Sequence, residues 1–313
     1  MGERSMSGTQ GGSGGWGAMG AAETPQGALR RRFPAYDDLR RRAKWRIARF
    51  AYDFVDGGVG DGAPNVAHNR AAMDAVRIVP RYALDVSAVA TRTTLFGRDY
   101  AAPVGVAPMG NIGMIWPRAD AILAAAAQEA RIPYCSSTVA NVGMEELARI
   151  APDSFWFQLY GLPADNHRIS VDLIQRAEAV GAHALVLTLD VPQRQKRVHD
   201  IRNGLSVPFR YRPRTVFQIA TAPLWALEMW RQGPPRFTNM RKYVREGASD
   251  MEIAAFVQQN MTTGVTWDDI ARFRDLWPRA LVLKGLQHPE DAERAVALGV
   301  DGVWVSNHGG RQF

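Results

Sequence analysis

Cysteine is almost missing from this chain of 313 residues: Cys135 stands alone, so no intrachain disulfide can form. A disulfide-held scaffold is excluded, and a reducing, cytoplasmic setting is the simplest expectation. Cys135 lies in an apolar run and reads as a buried strand residue, not as a nucleophile. Also missing is any apolar run long enough to span a bilayer. The early arginines are not followed by the apolar core of a signal peptide, so no secretory signal is expected. Met1-Gly2 opens as a myristoylation site would, but Met6 stands where Ser or Thr is needed. No aromatic-rich nucleic-acid motif accompanies the basic residues, so a nucleic-acid partner is not expected, and neither is a metal site.

What is present is a globular composition. Hydrophobic residues make up 46%, which argues against wholesale disorder, and the length suits one α/β barrel or two ordinary domains. The formal net charge is +7 and the pI about 9.8. Much of that charge is local, at Arg30, Arg31 and Arg32 and then at Arg40, Arg41, Arg42, Lys44, Arg46 and Arg49. A solvated basic helix accounts for it; small anionic substrates or an acidic membrane surface remain open as partners.

Residues 1 to about 27 are rich in Gly, Ser and Thr and read as a disordered tail. From Tyr36, the spacing of Leu39, Ala43, Ile47, Phe50 and Phe54 predicts a helix that Gly57-Gly58 stops. Beyond residue 100, apolar runs at 102–107, 133–136, 155–157, 184–189, 280–283 and 302–305 alternate with helical patterns. Residues 176–188 align without gaps on 294–306, each a helix end, a glycine and a strand finishing on a hydroxyl, which points to a repeated βα unit and a parallel sheet. The strands end in Ser137, Gln158, Thr188, Lys284 and Ser306. Such convergence favours one polar site at the carboxyl end of a barrel or an open sheet. Thr266-Trp-Asp-Asp269 reads as a helix start, which leaves about 191–265 as an insertion, a lid or a docking surface. Within it, Val216-Phe217, Leu224-Trp225, Leu227 and Trp230 lie near Arg231 and Arg241, a composition suited to an anionic membrane interface or to a lid helix packed on the barrel.

The last strand runs into Ser306-Asn-His-Gly-Gly-Arg-Gln312. A histidine can move a proton near neutral pH, and an arginine can hold a carboxylate with two parallel hydrogen bonds. This motif resembles the active-site signature of the FMN-dependent 2-hydroxy-acid dehydrogenases and oxidases, a family that includes glycolate oxidase, L-lactate dehydrogenase and mandelate dehydrogenase. The resemblance extends from about Tyr36 to Phe313. It implies an α/β fold, a (β/α)8 TIM barrel of the FMN-dependent type, with about six of its eight units in residues 28–313. By the resemblance His308 is the catalytic base, Asp190 the carboxylate that pairs with it, and Tyr160 of Phe-Gln-Leu-Tyr the residue facing the substrate hydroxyl. Arg311 and Arg197 would bind the substrate carboxylate. Pro108, Met109 and Gly110 would lie against the flavin, Ser137, Gln158 and Thr188 would hydrogen-bond its ring, Lys284 would stand near N1 and the C2 carbonyl, and Ser306 completes the cofactor set. Asn69-Arg70, behind His68, resembles the family's early Glu-Asn-Arg segment.

Two departures stand out. Phe54 takes the place of a family tyrosine that helps bind the carboxylate. The family also continues past this motif with two more strands that supply the flavin phosphate site, so this chain is expected to bind FMN poorly and to be inactive or nearly so. The resemblance implies oxidation of an L-2-hydroxy acid to the 2-oxo acid, with a quinone, a cytochrome or oxygen as acceptor; Gly110 favours a quinone or cytochrome. A homo-oligomer when complete and a peripheral contact with the inner face of the membrane are further expectations. Competing readings are a non-catalytic fragment or pseudoenzyme with weak flavin binding, and another FMN barrel enzyme such as a type 2 isopentenyl diphosphate isomerase. The pair Arg197 and Arg311 argues against the isomerase.

Overall fold

A computed structural model of the chain describes residues 25–192, 195–205, 211–261 and 264–312, which fall into two compact units dividing between Ala43 and Lys44. In the first, a helix over Pro25–Arg32 begins on proline and ends on three arginines, and a second helix, Tyr36–Arg46, carries Asp37 and Asp38 in its first turn. Asp38 accepts from the Ala35 amide at 3.0 Å and pairs with Arg41. No residue of Tyr36–Arg46 is buried, so its arginines are solvated. The tail expected over 1–27 lies almost wholly outside the described residues.

One helix was expected from Tyr36 to Gly57; there are two. The second unit begins at Lys44; within it Ala48 is extended (φ −55°, ψ 135°), and a new helix runs over Arg49–Asp56. The apolar spacing continues across the break because Phe50 and Ala51 are fixed by tertiary contacts with Ala222 and Trp225. Packing overrides a helical periodicity of this kind readily.

A short hairpin follows, β1 (Thr93–Leu95) and β2 (Arg98–Tyr100). The main sheet has five parallel strands in the order β3 (Tyr134–Ser137), β4 (Phe155–Tyr160), β5 (Ala184–Thr188), β6 (Ala280–Lys284) and β7 (Gly302–Trp304). Alternation sends Phe155, Phe157, Leu159, Leu185, Leu187, Leu281 and Leu283 outward, onto helices that contribute Leu173, Ile174, Ile270 and Phe273. Cys135, Trp156, Val186 and Val282 point the other way and meet Tyr100. Both faces are buried, which is why the strands read as continuous apolar runs. Each of these side chains contributes roughly 1.5–3 kcal/mol on burial.

The run at 102–107 was expected to be a strand, yet only Val106 pairs, by one bridge to Tyr134. Pro108 and Pro133 lack the N–H that the next rungs need, so pairing stops at two hydrogen bonds, Val106 N–H to Pro133 O and Cys135 N–H to Val106 O. The internal echo appears as two matching joints. Ala182 N–H reaches back to Ala177 O before β5, and Val300 N–H to Ala295 O before β7. Thr266 caps the helix Trp267–Leu276 in a reciprocal box with Asp269, as its sequence predicts.

Between β5 and that helix the described residues form Val198–Arg202, Pro213–Ala220, Pro223–Gln232, Asp250–Asn260 and a 3-10 turn, Thr238–Tyr243. The turn is pinned by buried Asn239, which accepts from Met144 N–H at 2.9 Å and donates to Ser137 O and Thr138 O. The helices Pro213–Ala220 and Pro223–Gln232 put Ile219, Ala222 and Trp225 against Phe50 while leaving Val216, Phe217, Leu224 and Trp230 exposed.

Candidate active site

Because strand side chains alternate, the face that carries Cys135, Trp156, Val186 and Val282 presents Ser137, Gln158, Thr188 and Lys284 two residues later. Tyr160 and Asp190 follow two residues beyond Gln158 and Thr188. All four of the first row are buried. Ser137 Oγ donates to Gln158 Oε1 at 2.9 Å, while Gln158 Nε2 has no hydrogen-bond partner among the described residues. Gly110 adjoins this row; a Cβ there would lie 3.7 Å from Ser137 Oγ. Pro108 is partly buried and Met109 exposed in the same loop.

Asp190, fully buried, is the hub. One carboxylate oxygen meets His308 Nδ1 at 2.7 Å, and the other accepts from Lys284 Nζ at 3.4 Å. The resemblance assigns Lys284 to the flavin; its ammonium also stands 3.5 Å from His308 Nδ1. Burial by itself would raise the Asp190 carboxyl, but the hydrogen bond from His308 and the charges of His308 and Lys284 outweigh it and hold the group below its ordinary value. Its approach depends on Gly285 (φ +105°), where a Cβ would come within 2.4 Å of Asp190 Cβ.

His308 is held by a hydrogen-bonded loop. Its amide donates to Ser306 Oγ at 2.9 Å, so the Ser306 hydroxyl first serves the histidine. Its backbone is left-handed (φ 59°), a strained conformation that histidine tolerates better than most residues. Asn307 and Asn69 exchange two side-chain hydrogen bonds, at 3.0 and 2.7 Å, and Gly310 N–H donates to Asn307 Oδ1. The Asn69 segment thus touches the loop directly. Gly310 has φ +70° and admits no side chain, since a Cβ would press on Val66 N at 2.7 Å.

The two arginines converge from different elements. Arg311 donates to Gly57 O at 2.6 Å and Val55 O at 3.2 Å, and its guanidinium lies 5.1 Å from the centre of the Phe54 ring. Arg197 caps Val198–Arg202 and faces Asp200 at 3.8 Å. Burial, then the like charge of Arg197, lowers the Arg311 pKa to about 10, against the pull of Asp200 and Tyr160. Arg311 therefore stays charged at neutral pH while Arg197 repels it, a repulsion that a bound anion would relieve. Burial and the Asp190 charge raise Tyr160 to about 12 despite both arginines, so its phenol stays protonated and can donate. Burial also raises the Asp200 carboxyl above its ordinary range, although Arg197, Arg311 and His199 oppose this.

A cavity of about 330 Å³ opens beside Tyr160 and Thr188, walled by Leu189, Val191, Met261 and Val265. Three residues around the site escaped the sequence reading: Asp53, Asp200 and Asn203. Their partners lie on other elements or among unremarkable neighbours, and no motif flags them. Cys135 is buried, and burial pushes its thiol up, as expected of an inert core residue.

The FMN-dependent dehydrogenase family model matches residues 43–313. The (S)-mandelate dehydrogenase of Pseudomonas putida is 35% identical over 278 residues, covering 88% of this chain and 69% of the relative. An L-lactate dehydrogenase of Caulobacter vibrioides (strain NA1000 / CB15N) is 37% identical over 277 residues, 88% of this chain and 71% of the relative. Among solved structures, the monotopic membrane protein (S)-mandelate dehydrogenase superposes with a TM-score of 0.83 at 35% identity, over 88% of this chain and 73% of that one. A mandelate oxidase superposes at 0.70 with 31% identity, over 90% and 71%. A parallel α/β sheet whose strand ends gather Gln158, Lys284, Asp190 and His308, on a chain matched over most of its length, belongs to the FMN-dependent 2-hydroxy-acid dehydrogenase and oxidase family, a family of FMN-dependent TIM-barrel enzymes.

Proposed function

We propose that the chain oxidises an L-2-hydroxy acid to the 2-oxo acid, with His308 as base and Arg197 and Arg311 as the carboxylate clamp. The observation that carries this reading is the 2.7 Å contact between His308 Nδ1 and buried Asp190. With Nδ1–H donated to a carboxylate, Nε2 is left as the basic nitrogen, and the charge it gains is balanced by Asp190. His308 Nε2 takes the hydroxyl proton, while Tyr160 donates to the same oxygen. Arg197 and Arg311 hold the carboxylate, and substrate binding relieves their repulsion. The residues fit FMN: Gln158 Nε2, without a partner among the described residues, and Ser137, Thr188 and Lys284 beside it offer the donors a buried flavin ring needs. Pro108, Met109, Gly110 and Ser306 would complete the contacts. Acceptance of two electrons is what FMN supplies when bound.

Gly110 supports a quinone or cytochrome acceptor over oxygen. The exposed apolar side chains of Pro213–Ala220 and Pro223–Gln232 support peripheral attachment to an anionic membrane, in keeping with the monotopic relative. No helix among the described residues is long and apolar enough to cross one.

The test is anaerobic reduction of bound FMN by glycolate, L-lactate and L-mandelate, in a form of the protein extended by the family's two further strands. His308→Ala should slow reduction by roughly two to four orders of magnitude with flavin retained; near-normal reduction would overturn the assignment.

A further inference from the structure

Arg311 takes its position from one helix and Arg197 from another. Phe54, Val55 O and Gly57 O, which hold the Arg311 guanidinium, belong to Arg49–Asp56 and the residue that caps it. Arg197 is the first turn's cap of Val198–Arg202, and Ile201 N–H bonds to its carbonyl. The distance between the two guanidinium groups is therefore set by how these helices sit together. Among the described residues, a buried carboxylate links their side chains. Asp53, in the helix Arg49–Asp56, accepts from Asn203 Nδ2 at 3.0 Å and from Arg49 Nε at 2.6 Å. Asp53 is 8% exposed and Asn203 7%, so water cannot replace the bond if it is lost. A backbone contact runs parallel to it: Gly60 N–H donates to Lys196 O at 3.1 Å, which ties the strand-like entry of Arg197 to the chain beyond Gly57.

From this arrangement we infer that Asp53 and Asn203 are positioning residues for substrate recognition, a buried clamp that fixes the spacing of the two carboxylate-binding arginines. Asp53 bonds Asn203 and Arg49, and among the described residues neither Arg197 nor Arg311 is a hydrogen-bond partner of the two, so they act through the two helices. Asp200, which faces Arg197, lies on the clamped helix and moves with it. The inference rests on the reading of Arg197 and Arg311 as the carboxylate clamp.

Oxalate, a dicarboxylate with no hydroxyl to oxidise, is the probe. Its affinity is measured by calorimetry on FMN-loaded protein, with thermal melting and flavin content followed in parallel. Asn203→Ala should weaken oxalate binding by roughly tenfold to a hundredfold, as expected for a misplacement of about 1 Å, while flavin content holds. The swap of Asp53→Asn with Asn203→Asp rebuilds a hydrogen bond of the same length and should recover most of the affinity. Oxalate affinity within twofold of wild type in Asn203→Ala would overturn the inference. So would a joint loss of affinity and flavin that the swap does not reverse, since that marks a merely structural role. Arg197→Lys and Arg311→Lys, measured alongside, separate the two failures. If they leave oxalate binding unchanged, the carboxylate reading itself falls; if they weaken it and Asn203→Ala does not, only the clamp falls.

Discussion

Asp190 meets three demands at once: it orients His308, it neutralises Lys284, and it stays ionised without solvent. Asp190→Asn keeps the shape but presents an amide to His308 Nδ1, so the wrong ring nitrogen can carry the proton. Loss of the correct tautomer costs about 10⁴ in rate in the Ser-His-Asp triad. A fall of roughly two to four orders in flavin reduction is expected here, with FMN still bound, and stopped-flow absorbance reads both. Gly110 is tight for another reason. A Cβ there would lie 2.5 Å from Val139 Cγ2, a buried side chain. Gly110→Ala should destabilise the protein by about 1–3 kcal/mol through overpacking. Val139→Ala added to it should return much of that loss in chemical denaturation.

At the scale of elements, the helices Pro213–Ala220 and Pro223–Gln232 have two apolar faces with different work. Trp225 stacks edge-on to Phe50 at 5.6 Å and donates its indole N–H to Met114 O at 3.1 Å, while Gln218 Oε1 accepts from Phe50 N–H. Trp230 is 81% and Phe217 68% exposed. The side chains that pack and the exposed ones proposed to meet a membrane are therefore different sets on the same helices. Trp225→Ala should destabilise by about 3–5 kcal/mol. Phe217→Ser with Trp230→Ser should leave the melting temperature nearly unchanged and weaken co-sedimentation with anionic vesicles. If that double variant binds vesicles as wild type does, attachment through this face is excluded.

Across the whole molecule, acid stability turns on buried groups remote from the site. Burial, then the charge of Arg98, lowers His183 to about 4 from its ordinary 6.5. The unfolded chain then binds a proton between those values that the folded chain refuses, so this contribution is present above pH 6.5 and is lost as pH falls towards 4. Asp120, raised to about 6 by burial, works in the opposite direction, so the His183 effect is isolated only by difference. His183→Gln should flatten the acid limb of the stability profile relative to wild type, by thermal melts from pH 7 to 4 in one ionic strength.

How much of this was legible beforehand follows from the range of each interaction. Period-two alternation and the apolar runs are local, and they determined the strands, the shared face and its polar ends at Ser137, Gln158, Thr188 and Lys284. The capping box at Thr266 and the paired βα joints were equally local. His308 and Arg311 stand out in a contiguous motif, and Asp190 was singled out only through the resemblance to a family. The first strand misread because apolar spacing does not register the amides that proline removes. Only the tertiary structure decided that Lys284 meets Asp190, that Asn69 locks Asn307, and that Asp53 reaches Asn203 across 150 residues. A hydrogen bond between distant side chains leaves no periodicity in the sequence; its partners are ordinary polar residues until folding excludes water from between them.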